Sequence, residues 1–173
     1  SVSFILAKFV EQILAFAVIL LFYTAYFLTM SQISNFALSS GFVRMLLLSL
    51  FLAGCMAAFG MFISSLSKRV KTSVILFLVL TIVFLSVPLI HGLLMNLSDD
   101  EVKGAWSVAR KTTSYLNSII NWVSPFAYLE RGSTAIVLNS TSEFIKSLFF
   151  SLLYTVALLF GSISIFKRKG VRR

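Results

Sequence analysis

Four long stretches of this chain contain no Asp, Glu, Lys or Arg: Gln12–Val43, Met45–Ser67, Thr72–Ser98 and Ser147–Phe166. A helix needs about 20 predominantly apolar residues to cross the hydrocarbon core of a bilayer. In lipid the backbone must satisfy its own N–H and C=O groups, so each run predicts a membrane-spanning α-helix. The first run is longer than one crossing needs. Its tail, Ser31-Gln32-Ile33-Ser34-Asn35 and then Ser39-Ser40-Gly41, reads as a short turn. The pattern therefore predicts an all-α integral membrane protein with about four transmembrane helices, at 4–30, 43–66, 73–97 and 143–166.

The segment 98–142 is too long for a simple connection. It opens on the solvated Asp99-Asp100-Glu101-Val102-Lys103. Leu116, Ile119, Ile120 and Val123 then follow at i, i+3, i+4 and i+7, with Ser114, Asn117, Ser118 and Asn121 between them. That stripe predicts an amphipathic helix with one buried face, and Tyr115 and Trp122 suit headgroup depth. Ser124-Pro125 breaks it, and Phe126-Ala127-Tyr128-Leu129 begins a second short element that ends at Glu130-Arg131-Gly132. Ser140, with Glu143 three residues on, has the form of a capping box opening the last span. The expectation for 98–142, taken as the outer loop, is a helix–break–helix lying in, or dipping into, the outer leaflet, against the alternative of an ordinary surface loop.

Composition agrees with the pattern. Hydrophobic residues make up 58% of the 173 and charged residues 12%, with 18 Phe and a mean hydropathy of +0.96. An ordinary soluble domain carries roughly a quarter charged residues, so this chain lacks the polar surface to cover a soluble core. A balance of 15 Lys and Arg against 6 Asp and Glu would suggest nucleic acid in a soluble protein. Here the basic residues stand at the ends of apolar runs and set orientation instead, with no nucleic-acid partner implied.

With the N-terminus cytoplasmic, that side holds Lys8, Lys68, Arg69, Lys71, Lys167, Arg168, Lys169, Arg172 and Arg173. The other side holds Arg44, Lys103, Arg110, Lys111, Arg131 and Lys146, among five acidic residues. The short Lys68-Arg69-Val70-Lys71 turn weighs most in this rule, so both termini are expected inside. The tail after Phe166 is expected to meet anionic headgroups of the bilayer. The sequence opens Ser1-Val2-Ser3 without an initiator Met or a signal-peptide cleavage pattern. We read 1–173 as one membrane domain and a piece of a longer chain.

Catalytic and metal chemistry finds no motif. There is no Gly-x-x-x-x-Gly-Lys-[Ser/Thr], no His-Glu-x-x-His and no Gly-x-Ser-x-Gly. His91 and Cys55 are each the only residue of their type, so no catalytic residue, metal site or cofactor is expected in this chain. Asn96-Leu97-Ser98 and Asn139-Ser140-Thr141 fit the N-glycosylation acceptor pattern. The third span carries mild polarity in Thr81, Ser86, Pro88 and His91, and Pro88 is expected to kink it. In the second span, Ala53 with Ala57 and Gly54 with Ala58 are small residues four apart, a helix-packing signal.

Several segments resemble the permeases of type-2 ABC exporters. Ile5-Leu6-Ala7-Lys8-Phe9 is similar to their span opening, and Ala57-Ala58-Phe59-Gly60-Met61-Phe62-Ile63-Ser64-Ser65-Leu66-Ser67-Lys68-Arg69 to their small-residue, Ser-Ser-Leu, basic span ending. Asn121-Trp122-Val123-Ser124-Pro125-Phe126 resembles the Ser-Pro-Phe segment before their last span. The resemblance implies the last four of six spans, without the first two and the cytoplasmic coupling helix. It further implies a plasma-membrane subunit that exports as a dimer, with a second permease copy or paralogue and separate ATPase subunits. The third span, with Thr81, Ser86, Pro88 and His91, would then line the path. The alternative is a non-transporting four-helix membrane scaffold or assembly factor.

Overall fold

The computed structural model describes residues 2–34, 39–67, 69–97 and 104–170, with side chains to residue 168. The expected turn residue Asn35, Lys68 of the basic turn, the acidic run 99–103 and the tail 171–173 lie outside them. Six helices follow in order: α1 Val2–Ser34, α2 Ser40–Leu66, α3 Val70–Met95, α4 Ala105–Val123, α5 Pro125–Val137 and α6 Thr141–Gly170. Among the described residues there is no strand, and α1, α2, α3 and α6 are long and apolar enough to cross a membrane. All four begin two or three residues earlier than expected, α2 ends where expected, α3 ends at Met95, and α1 and α6 run four residues further, so Ser31 to Ser34 end α1 as helix rather than opening a turn.

Side-chain contacts fix the directions. The Phe27 and Phe42 rings stand 5.7 Å apart, and Ile13 faces Gly54, so α1 runs antiparallel to α2. Phe59 packs tilted on Phe77 and Phe84 at 5.8 and 5.5 Å, and the short step from Leu66 to Val70 turns α3 back antiparallel to α2. Leu48 clusters with Phe144, Cys55 Sγ lies 3.3 Å from the Ser151 carbonyl, and Phe62 meets Gly161, so α6 runs parallel to α2. One end of the bundle consequently gathers exposed Lys8, Arg69, Lys71, Lys167 and Arg168. We call it the basic end, and the opposite end, where α2 and α6 begin, the hairpin end.

The centre of the bundle is the α2–α6 seam. Lipid tails are as apolar as Leu, so helices associate there through close packing and hydrogen bonds rather than through exclusion of water. On α6, Ser147, Ser151, Thr155 and Ser162 are all buried. Ser151 and Thr155 meet Cys55, and Thr155 also faces Gly54, on a side of α2 where Gly54, Cys55 and Ala58 are buried. Thr155 Oγ1 donates to the Ser151 carbonyl at 2.9 Å, the local bond that a Ser or Thr uses to hide its hydroxyl in a helix. Gly54 faces Ile13 of α1 on one side and Thr155 on the other. Ala53 and Ala57 lie at the rim of this contact, in a groove between α1 and α3 that Gln12, Phe16, Val74 and Phe77 also line.

Candidate functional site

The chain between α3 and α6 folds as a helical hairpin that enters the bundle. Gly104, at a φ of 63° that favours glycine, starts α4. Arg110 Nε lies 3.5 Å from Met95 Sδ, while Ile120 shares a cluster with Phe84 and Phe59. Helix α4 thus runs back down α3, antiparallel, from the hairpin end toward the middle. Ser124 ends it and caps α5, its Oγ accepting from the Phe126 N–H at 3.2 Å with Pro125 at the first helical position. Helix α5 climbs back between α2 and α6. Ser147 Oγ donates to the Tyr128 carbonyl at 2.8 Å, and Gly132 lies against Leu48 and Ser147.

The depth of the turn follows from α6, whose charge-free stretch begins at Ser147. Tyr154 Oη donates to the Val123 carbonyl at 2.7 Å. Tyr154 stands two turns beyond Ser147, about 10 Å at 1.5 Å per residue, so the apex dips into the apolar layer.

A helix end in that layer has a physical problem. Its last carbonyls lack intrahelical partners and no bulk water can replace them. Here the Ser124 N–H donates to the Ile120 carbonyl at 2.7 Å, Arg131 Nη2 to Asn121 at 3.0 Å, Tyr128 Oη to Trp122 at 2.9 Å and Tyr154 Oη to Val123. Every carbonyl of the last turn of α4 has a donor. The Arg131 guanidinium also lies over the Trp122 ring at 5.2 Å and the Tyr128 ring at 5.9 Å, within cation–π range.

The upper end of α5 is equally bound. Asn139 takes a left-handed φ of 52°, the Asn139 N–H donates to Ile136 and the Ser140 N–H to Ala135. These bonds form the two-bond C-terminal motif of a helix. The expected capping box is therefore not reciprocal. The Ser140 N–H is taken by α5, and the Glu143 carboxylate accepts from Lys146 at 2.7 Å instead. Arg44 of α2 reaches Asn139 Oδ1 and Thr141 Oγ1 at 3.2 and 3.4 Å, tying three elements at this end. Asn139 of the glycosylation pattern is an exposed member of that tie.

The expected buried stripe on α4 needs correction. Ile120 is buried at 7% exposure, but Leu116, Ile119 and Val123 remain 43, 48 and 45% exposed. The fold covers one edge of the apolar face, through α3 and Phe126, and leaves the rest for a surrounding apolar phase.

Of the residues expected along the path, Pro88 lies inside an unbroken α3 and faces the hairpin apex. Together with Phe84, Asn121, Ser124, Phe126 and Glu130 it lines a cavity of about 330 Å³. The antiparallel register of α3 and α4 places Thr81 level with the break and His91 nearer the hairpin end. Among the described residues, Thr81 Oγ1, His91 Nδ1 and Asn117 Oδ1 are buried without a hydrogen-bond partner. Ser86 is half-buried on α3 and is not among the residues lining that cavity. Sequence reasoning missed Glu130, Arg131, Tyr128 and Tyr154 as site residues. The first three sat in an apparent outer loop and the fourth in an apparently inert span. The available signal was Tyr128 and Arg131 close to a Ser-Pro break, donors near a helix end that needs them; nothing local to the break marks Tyr154.

No curated protein and no solved structure matches this chain. The helix–break–helix stands between α3 and α6, on the Ser-Pro-Phe segment that the resemblance drew on. The model of the ABC-2 family transporter proteins matches residues 3–171, so the chain belongs to that family and is a membrane permease of an ABC transporter.

Proposed function

We propose that this permease lines the substrate path of an ATP-driven exporter in the cell membrane, as one of two membrane domains served by separate ATPase subunits. These residues hold no P-loop, so the ATP-hydrolysing site lies outside them. The basic end, with its Arg69 and Lys71 turn, is the cytoplasmic one under the positive-inside rule. Both chain ends then face the cytoplasm, and the hairpin lies in the outer leaflet.

The observation that carries this reading is the apex of the hairpin against α3. Pro88 has no N–H, so the helix loses a bond at the turn that faces the cavity. Thr81, His91 and Asn117 add polar atoms without partners along the same two helices. Buried polar atoms without partners are costly, and an arrangement that supplies them with water or substrate gains stability. Helix α3 packs mainly on α4 and on a narrow face of α2, far less than α6 does. A wall held on one side can slide between two packed positions, and a partner that binds the two positions unequally can drive it. Thr81, Ser86, Pro88 and His91 are the path residues in this proposal.

The test is the complete permease reconstituted with its ATPase, compared with a Pro88→Ala variant. Restoring the missing N–H stiffens α3, and substrate-stimulated ATP hydrolysis is expected to change while dimer assembly is retained. Unchanged transport and hydrolysis would remove α3 from the path. Transport by residues 1–173 with no ATPase present would overturn the exporter reading itself.

A further inference from the structure

Between α5 and the first turns of α6 lies a cavity of about 420 Å³, walled by Arg131, Lys146, Glu130, Glu143, Tyr128 and Phe150 among others. We propose that it is a binding site for the headgroup of a phospholipid carrying a primary amine, a phosphoethanolamine diester on an apolar tail.

Position is the first argument. The cavity straddles Ser147, where the charged first turns of α6 give way to its charge-free stretch. Lys146, Glu143 and Ser140 stand on one side of that level, and Phe150 on the other. A lipid has its phosphate and its glycerol–acyl junction at that same boundary.

Charge is the second. Two cations face two carboxylates, so a ligand with one charge of each sign fits better than a net anion. The Lys146–Glu143 pair is exposed on both partners, and such pairs contribute little and exchange readily. Arg131 is different. Its plane is held over two aromatic rings and one amino group is fixed on the Asn121 carbonyl. The guanidinium is therefore pre-oriented, and a planar fork of donors suits a phosphate. The carboxylates of Glu130 and Glu143 can accept N–H bonds from a primary ammonium but not from a trimethylammonium, which has none to give.

The site does not depend on what the permease exports, because it requires only the hairpin and a bilayer. Native mass spectrometry of the full permease, purified in detergent, tests it with phosphatidylethanolamine, phosphatidylcholine and phosphatidylglycerol of matched chains. Soluble glycerophosphoethanolamine and inorganic phosphate are the headgroup-only arms. Phosphatidylethanolamine is expected to bind at least tenfold more tightly than the other two lipids. Arg131→Gln and Lys146→Gln are each expected to weaken it about tenfold, the loss of one charged hydrogen bond. The Glu130→Gln, Glu143→Gln double variant is expected to lose discrimination against phosphatidylcholine. Lys8→Gln, at the far end, should leave binding unchanged. Because Arg131 also holds the hairpin apex, Lys146→Gln, which touches no bond within the hairpin, carries the test if Arg131→Gln fails to fold. Equal retention of the three lipids, or unchanged retention in Lys146→Gln, overturns the proposal. Soluble phosphate or glycerophosphoethanolamine binding as tightly as the lipid overturns the lipid as the source.

Discussion

Three donors, Tyr128, Arg131 and Tyr154, hold the end of α4 where water is scarce, and each can be removed singly. Tyr154→Phe keeps the ring and deletes only the hydroxyl, leaving the Val123 carbonyl without its partner. The bond lies at the protein surface, and with lipid rather than water over it the freed carbonyl costs about 1–3 kcal/mol. The purified permease is expected to melt at a lower temperature than wild type, whereas Tyr23→Phe on the exposed face of α1 should not shift it. Two glycines separate propensity from packing. Alanine gains about 1 kcal/mol over glycine inside a helix, and Gly92 has nothing within 4 Å of an added Cβ, so Gly92→Ala should stabilise. At Gly132 the same Cβ would stand 2.5 Å from Leu48 Cδ1, and Leu48 is fully buried. Overpacking of that kind costs about 1–3 kcal/mol, so Gly132→Ala is expected to lower the melting temperature despite its better propensity.

At the scale of elements, α4 shows what periodicity can establish. The stripe Leu116, Ile119, Ile120, Val123 gave a helix and a face, and both exist. It could not say that the fold covers only Ile120, because a pattern specifies an apolar environment and not whether protein or lipid supplies it. If lipid covers the remainder, the amides of 114–123 should exchange slowly in a reconstituted bilayer and faster in detergent. Fast exchange throughout in the bilayer would mean that α4 does not lie in the apolar layer. The Ser147, Ser151, Thr155, Ser162 face of α6 is the converse case. Its residues were in plain view, spaced for one side of a helix, but inside an apolar run they read as composition until α2 was placed opposite them.

For the whole molecule, the structure puts the start of α1, the α2–α3 turn and the end of α6 at one end of the bundle. Cysteine labelling assigns that end to a side of the membrane. Ser67→Cys in a Cys55→Ala background is expected to be protected from an impermeant reagent added outside, and a Cys at the exposed Leu138 to react with it. Reaction of the Ser67→Cys variant from outside would invert the proposed topology, and with it the leaflet assigned to the hairpin.

What the sequence settled by itself was whatever depends on local length and solvent. Runs of about 20 apolar residues can only be spanning helices in a bilayer, and Ser124-Pro125 can only interrupt a helix that reaches it. Those rules gave four spans, a broken helix between the last two and, through matched segments, the family. The depth of the break could not be read from the chain, since Val123 and Tyr154 are 31 residues apart and their bond exists only once α5 folds back between α2 and α6. The lipid-level cavity has the same origin. Arg131 becomes a fixed guanidinium only when Trp122, Tyr128 and the Asn121 carbonyl converge on it from two helices. A charge in a polar loop and a charge at the floor of a membrane hairpin have the same one-letter code, and only the tertiary fold distinguishes them.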